Sequence, residues 1–134
     1  MAEQGNVQRV KDFYAALGRG DIATLLQGMA DDIEMVIPGA PGNPAAGKFK
    51  GKQAVQGCFG TLGQTASFTR FEPYDFIAQG DKVVALIHAE ATTIPANKHV
   101  VDEIAQVLTF RDGKLAHLVS FNDTAAVAEG HRTN

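Results

Sequence analysis

Residues 76–92, FIAQGDKVVALIHAEAT, predict a β-hairpin that organises the second half of the chain. Gly80 and Asp81 form a turn dipeptide between two segments rich in β-branched and aromatic residues. The second segment also places His88 and Glu90 two residues apart on one strand. Side chains with that spacing share a face, with Cα atoms roughly 6.6 Å apart. The stretch therefore predicts both a sheet and a pair of titratable groups on one side of it.

Further strands and helices are predicted on both sides of this hairpin. Downstream, strands are expected at 99–111 and 115–122, with the turn RDGK between them. Upstream, helical spacing of apolar residues predicts helices at 7–17, 22–29 and 51–62, and a short strand at 33–37. Asp21 is a predicted N-cap of the second helix, and Asp123 of a short C-terminal helix. Helices segregated to one side of a curved, mainly antiparallel sheet predict an α+β fold.

The segment PGAPGNPAAG at 38–47 is predicted to be a loop, since it holds three prolines and three glycines. It is either a rim or lid of a cavity or an ordinary surface connection. The lysines of GKFKGK that follow it are expected to lie on a solvated loop.

Composition excludes several classes of function. The chain has 134 residues, a net charge of −3 and one cysteine, Cys58, which is expected to be buried. No basic patch of the kind that binds nucleic acid is present in the sequence. No apolar run reaches the roughly 18–20 residues that span a bilayer, and the N-terminus has no signal sequence. We therefore expect a cytoplasmic protein that binds neither nucleic acid nor membrane.

Both faces of the predicted strands are apolar, so both faces must be covered. Three helices can cover one face. The other, outer face predicts a partner subunit, most simply a two-fold homodimer.

The order of these elements resembles that of a known superfamily. The segments VQRVKDFYAALGRGDIATLLQGMADDIEMVIPG, GKQAV, FIAQGDKVVALIHAEAT and LTFRDGKLAHLVSFNDTAAV together are similar to the nuclear transport factor 2-like superfamily, in particular its polyketide-cyclase (SnoaL-like) branch. The resemblance implies one domain over 1–134 with a cystatin-like cone around an apolar cavity, and a dimer through the outer sheet face. Residues 1–5 and 129–134 are expected to be flexible tails.

The resemblance does not imply a single activity, because this fold hosts many. Ketosteroid isomerases of the superfamily use a phenol, a general-base aspartate and a protonated aspartate. These three positions fall on Phe13, Ile37 and Gln106 here, so the chain is not a typical ketosteroid isomerase.

Limonene-epoxide hydrolases of the superfamily imply a different set of positions. Their Arg–Asp pair, spaced i and i+2, falls on His88 and Glu90. Their second acid falls on Ser120, and their water-holding Tyr and Asn fall on Met35 and Ile37. Half of that site is missing, which argues against epoxide hydrolysis.

When the chain is aligned with the superfamily in this way, His88 and Glu90 fall inside the cavity, where they are candidate catalytic residues. A carboxylate in an apolar pocket has a raised pKa, and an imidazole beside it can exchange a proton with a substrate. Asp102 has the parity of Gln106 and is a weaker candidate at the cavity mouth. The residues expected to line the cavity are Phe13, Tyr14, Leu17, Met35, Ile37, Phe59, Leu86, Gln106, Leu108, Leu118 and Ser120.

Three functions remain open from the sequence. The leading prediction is a cofactor-free acid–base enzyme of isomerase, cyclase or lyase type, acting on a small, largely apolar molecule. The alternatives are a non-catalytic ligand-binding protein and a protein-interaction module of the same fold. The four histidines show no metal-ligand spacing, so neither a metal nor a cofactor is expected.

Overall fold

The computed structural model describes residues 2–133, which form four helices and one six-stranded sheet. The elements, in chain order, are α1 (Ala2–Gly18), α2 (Ile22–Gln27), β1 (Met29–Ile37), β2 (Gly47–Lys50), α3 (Lys52–Thr65), β3 (Ala66–Gln79), β4 (Lys82–Thr93), β5 (His99–Arg111), β6 (Lys114–Phe121) and α4 (Thr124–His131).

The sheet has the strand order β2-β1-β6-β5-β4-β3. All neighbouring strands are antiparallel except β1 and β6, which are parallel. Helices α1, α3 and α4 pack on the sheet, α1 against β3 and β4 and α4 against β4 and β5. The predicted α+β class is confirmed.

The predicted helix caps are present. The carboxylate of Asp21 accepts a hydrogen bond from the Thr24 N–H at 3.2 Å, and that of Asp123 accepts one from the Ala126 N–H at 3.0 Å. Each satisfies a backbone donor that the first turn of a helix cannot pair internally. Asp123 thereby fixes the point at which the chain leaves β6 and enters α4.

Two local expectations differ from the structure. Residues 47–50, expected in a solvated loop, form β2 and pair with β1. Residues 2–5, expected to be a flexible tail, lie in α1, and residues 129–131 lie in α4, where Gly130 is buried. Glu3 accepts a hydrogen bond from the Gly80 N–H at 2.7 Å, and Gly130 packs against Val100 of β5. Both contacts join residues far apart in the sequence, so the local sequence does not reveal them. Met1 and Asn134 lie outside the described residues.

The core lies between the helices and the inner face of the sheet. On β4 this face carries Val83, Ala85, Ile87 and Ala89, which are all buried. On β5 it carries Ile104, Leu108 and Phe110. The outer face carries half-exposed and exposed apolar side chains, among them Val101 and Phe121.

No helix among residues 2–133 is long and apolar enough to cross a membrane.

Candidate active site

A cavity of about 120 Å³ lies between the inner sheet face and helices α1, α3 and α4. Its walls are mostly apolar. Eight of the side chains predicted to line it do so, namely Phe13, Leu17, Met35, Ile37, Phe59, Gln106, Leu118 and Ser120. Loop 38–46 contributes Asn43 and Ala45 to the wall, so this loop forms part of the cavity rim.

Three other predicted lining residues lie elsewhere. Tyr14 is 7% exposed and lies behind the wall, where its hydroxyl donates a hydrogen bond to Gln106. Leu108 is fully buried in the core beyond the cavity. Leu86 pairs with Ala105 and lies on the outer face of the sheet.

The placement of His88 and Glu90 inside the cavity is wrong. In the β4–β5 ladder His88 pairs with Glu103, whereas Gln106 pairs with Ala85. Directly opposite residues share a face, so His88 lies on the face opposite to Gln106. The strands join after Thr93, whose N–H donates to the Lys98 carbonyl, and this closure pairs odd positions of β4 with even positions of β5. Both faces of β4 are apolar enough that alternation alone did not reveal which is inside.

On the outer face, His88 lies between two carboxylates. Its Nε2 is 2.8 Å from Oε2 of Glu90, and its Nδ1 contacts Oε1 of Glu103. Glu90 also accepts from Arg70 at 3.2 Å and contacts His99. The hydrogen bonds to Glu90 and Glu103 raise the pKa of His88. This cluster is an ion-pair network on the outer surface and not a cavity site.

Four polar groups of the cavity wall, on β5 and on and just after β6, form one hydrogen-bonded chain with Tyr14, which lies behind the wall. Tyr14 Oη donates to Oε1 of Gln106 at 2.7 Å, and Gln106 Nε2 donates to Oγ of Ser120 at 3.2 Å. Ser120 Oγ donates to Oδ1 of Asn122 at 2.6 Å, and Asn122 Nδ2 donates to Oδ2 of Asp102 at 2.8 Å. Asp102 lies at the accepting end.

Asp102 is the buried carboxylate of this cavity, at 8% exposure. Its other oxygen, Oδ1, accepts from the backbone N–H of Asp123 at 2.8 Å. Burial raises the pKa of Asp102, and the donors on Asn122 and Asp123 oppose that rise in part. A buried carboxylate with a raised pKa, in a cleft, is a typical acid–base group.

The position of Asp102 follows from the register. It lies opposite Ala89, whose small side chain leaves room in front of the carboxylate. Its parity with Gln106 was visible in the sequence. The sequence nevertheless favours His88 and Glu90 over Asp102, because both faces of β4 are apolar and do not reveal which one is inside.

Helix α4 closes one end of the cavity and brings His131 to its wall. Burial lowers the pKa of His131, which favours the neutral imidazole. The helix is held by a hydrogen bond of 2.6 Å from the Thr93 hydroxyl to the Gly130 carbonyl. A Cβ on Gly42 would lie 2.6 Å from Cβ of Ala128, so the rim loop and α4 are in close contact.

Cys58 also lines the cavity, and its thiol is directed at the Ala45 carbonyl at 3.6 Å. Burial raises the pKa of the thiol to about 11. A protonated, buried thiol is a poor nucleophile, so Cys58 is part of the apolar wall. Among residues 2–133, no three His, Cys, Asp or Glu side chains are grouped as a metal site would require.

Comparison with known proteins identifies the family. The family model of the SnoaL-like domain matches residues 10–118. The chain belongs to the SnoaL-like family. A crystal structure of an NTF2-like protein from Burkholderia xenovorans LB400 superposes with a TM-score of 0.89 and 35% identity, covering 97% of this chain and 98% of that one. The predicted superfamily is therefore confirmed.

Two further relatives of this SnoaL-like chain are similar over nearly their whole length. TerC, co-crystallised with polyporic acid, has 27% identity and a TM-score of 0.84, covering 95% of this chain and 98% of that one. An uncharacterized protein of Mycobacterium tuberculosis H37Rv is 29% identical over 131 residues, which are 96% of this chain and 97% of the relative.

Within this SnoaL-like fold, the three residues that the resemblance assigns to the ketosteroid-isomerase positions all line the cavity, namely Phe13, Ile37 and Gln106. The carboxylate of this cavity lies at Asp102, on the same face of β5 as Gln106 and four residues before it.

Proposed function

We propose that this protein binds a small, largely apolar molecule in the cavity and transfers a proton to or from it through Asp102. The reaction class is that of cofactor-free isomerases, cyclases and lyases. The observation that carries the proposal is a buried carboxylate at the end of a polar wall in an otherwise apolar cavity. A side chain that moves a proton in place typically accelerates a reaction by about 10²–10⁴.

The volume of the cavity limits the size of the ligand. An engineered apolar cavity of about 150 Å³ accepts benzene. A cavity of about 120 Å³ is therefore suited to a molecule of about one ring. An open space of this size also argues against the third alternative, a cone filled by its own side chains that serves as a protein-interaction module.

Asp102 supplies the base, and the polar wall beside it supplies hydrogen-bond donors. An ionised carboxylate with a raised pKa is a stronger base than an ordinary one, so it can take a proton from a carbon next to a carbonyl group. The carbon–hydrogen bond breaks, the proton moves to the Asp102 oxygen, and the electron pair moves onto the carbonyl oxygen as an enolate. The return of the proton to a different carbon is an isomerisation.

A ligand-binding function without chemistry is the second candidate, and one observation favours it. Both oxygens of Asp102 already accept hydrogen bonds from the protein, from Asn122 and from the N–H of Asp123. These contacts would also suit a carboxylate that only joins β5 to the start of α4.

The two candidates are separated by the exchange of the α-protons of cyclohexanone for deuterium, followed by ¹H NMR in D₂O. This one-ring ketone carries a carbonyl group and acidic protons. We expect the wild-type protein to accelerate exchange and Asp102→Asn to lower it to the buffer rate. Asp31→Asn, at a fully exposed aspartate, is the matched control and should exchange as the wild type does.

Equal exchange by Asp102→Asn and the wild type would contradict the role of Asp102. No acceleration by the wild type, with chemical-shift changes showing that cyclohexanone occupies the cavity, would favour binding without chemistry. Native mass spectrometry of freshly purified protein gives an independent measurement, the mass of any co-purified ligand.

We further propose a homodimer through the outer face of the sheet. That face carries a continuous apolar area on β4, β5 and β6, formed by Val84, Leu86, Ala105, Val107, Val119 and Phe121. Contiguous apolar surface of this kind is typical of a subunit interface. A two-fold axis would place the same face of a second copy on it.

A further inference from the structure

The four side-chain hydrogen bonds of the cavity wall all donate in one direction, from Tyr14 towards Asp102. Each intermediate group donates to the next and accepts from the one before. The chain begins at a buried phenol and ends at a carboxylate. Its direction determines which atom of each amide faces which neighbour.

The direction follows from the charge at Asp102. An ionised carboxylate only accepts hydrogen bonds, so the neighbouring Asn122 must present its NH₂ group to Asp102 and its carbonyl oxygen to Ser120. The single hydroxyl proton of Ser120 is then donated to Asn122. Ser120 can only accept from Gln106, which must therefore present its NH₂ group to Ser120.

The hydrogen bond at the Tyr14 end of the chain of hydrogen bonds has the same direction. With its nitrogen on Ser120, Gln106 directs its carbonyl oxygen to the Tyr14 hydroxyl at 2.7 Å. Tyr14 is held in place by Phe13 and Phe71, with ring centroids 5.3 Å and 5.9 Å away. Burial raises the pKa of Tyr14, so the phenol stays protonated and remains a donor.

The consequence for a ligand is a wall with a defined polarity. The Gln106 oxygen accepts from Tyr14 and the amide nitrogen donates one proton to Ser120. The second proton of this NH₂ group has no acceptor among the hydrogen bonds of residues 2–133. Gln106 is part of the cavity wall. The β5 wall therefore offers a donor at Gln106 and, four residues away along the strand, an acceptor at Asp102.

We propose that Tyr14 is a positioning residue which, together with ionised Asp102, fixes the amide of Gln106 so that its N–H faces the ligand. The cavity thereby selects molecules that carry an acceptor oxygen, such as a carbonyl, at this wall. This inference rests on the proposed function, in that it requires the cavity to bind a small molecule. It does not require Asp102 to transfer a proton.

The test compares two probes of similar shape, cyclohexanone and methylenecyclohexane, in which a CH₂ group replaces the oxygen. Dissociation constants are measured by NMR titration for the wild type, Tyr14→Phe and the matched control Tyr74→Phe, whose ring is 62% exposed. The ratio of the two dissociation constants, methylenecyclohexane over cyclohexanone, should be equal in the wild type and Tyr74→Phe, since the difference in hydration between the probes is the same for every protein. In Tyr14→Phe the Gln106 amide can rotate, and this preference for the ketone should fall by up to about tenfold, the upper value for one net hydrogen bond, with the affinity for methylenecyclohexane unchanged.

An undiminished preference in Tyr14→Phe, or an equal loss of affinity for both probes, would overturn the positioning role. Either result would leave the proposed function standing, because both probes would still occupy the cavity. If neither probe perturbs the cavity resonances, both fail together.

A second measurement needs no variant. The charge on Asp102 sets the direction of the hydrogen-bonded chain. The side-chain NH₂ resonances of Gln106 should therefore shift with pH, with the same titration midpoint as the carboxyl carbon resonance of Asp102. Gln106 resonances that do not respond to that titration would also overturn the inference.

Discussion

At the scale of single residues, burial reverses the order in which the sequence ranks two titratable groups. Asp102 is buried in the cavity wall, where loss of water raises its pKa. Glu90 lies on the outer face, where its hydrogen bond to His88 lowers its pKa. The same chemical group is therefore a candidate base at one position and a partner in surface ion pairs at the other.

The ion pairs of His88 predict a pH dependence of stability. Because contacts with Glu90 and Glu103 raise the pKa of His88, the folded state holds this proton more tightly than the unfolded state. The stabilisation is complete below about pH 6.5, the ordinary value for histidine, and is lost as the pH rises through the folded pKa.

Urea denaturation of the wild type and His88→Gln between about pH 5.5 and 8.5, at one protein concentration, measures this effect. The free energies of unfolding of the two proteins should differ most at the acid end and converge towards the alkaline end. A difference that is constant across this range would show that the contacts do not depend on the imidazolium charge.

At the scale of elements, α4 determines the shape of the cavity end. Its Gly130 packs against β5 so closely that an added Cβ would overlap Cγ2 of Val100. Val100 is buried and its branched side chain has few alternative rotamers. The helix can lie this close to the sheet because position 130 has no side chain.

Gly130→Ala should therefore destabilise the protein, by about 1–3 kcal/mol, the usual cost of overpacking a buried site. The matched control is Gly57→Ala in α3, where a Cβ has open space around it. This control should stabilise by about 0.5–1 kcal/mol, since alanine is the better helix former. Thermal and urea unfolding of both variants measure the difference, and a Gly130→Ala variant as stable as the control would contradict the close packing.

At the scale of the whole molecule, a monomer does not account for the exposed apolar side chains on the outer face of the sheet. Phe121 is 57% exposed, and Val101 on the neighbouring strand is also exposed. The ion-pair network around His88 lies on the same face. This combination of an apolar area and a polar network is typical of the core and rim of a subunit interface.

Phe121→Glu should weaken the proposed dimer by about tenfold or more, because a charge would be buried against the second copy. The fold should be retained, since this side chain lies outside the core. Ile94→Glu is the matched control, because Ile94 is 44% exposed on the β4–β5 connection rather than on the sheet face. Light scattering after size-exclusion chromatography gives the mass of each protein over a range of concentrations. A monomeric wild-type protein at high concentration would contradict the proposal.

Much of the fold was predictable because it depends on short-range patterns. Residues a few positions apart determine the turn at Gly80 and Asp81 and the helix caps at Asp21 and Asp123. They also determine where the strands beside the turn begin and end. Strand β2 was missed because its four residues, Gly47–Lys50, form a strand only by pairing with β1. A pairing partner distant in the sequence leaves no local signal.

The sequence by itself determined the order of the elements, which follows from periodicity, turns and caps. Its resemblance to a known superfamily implied the fold family and most of the apolar wall of the cavity. Only the tertiary structure decided which face of β4 is inside. That choice depends on how β4 and β5 pair next to the Thr93–Lys98 connection. A shift of one residue there would place His88 on the cavity face instead of Ala89. It also decided that Asp102 is the buried acid, because the pKa of a carboxyl group depends on what surrounds it in space and not on its neighbours along the chain.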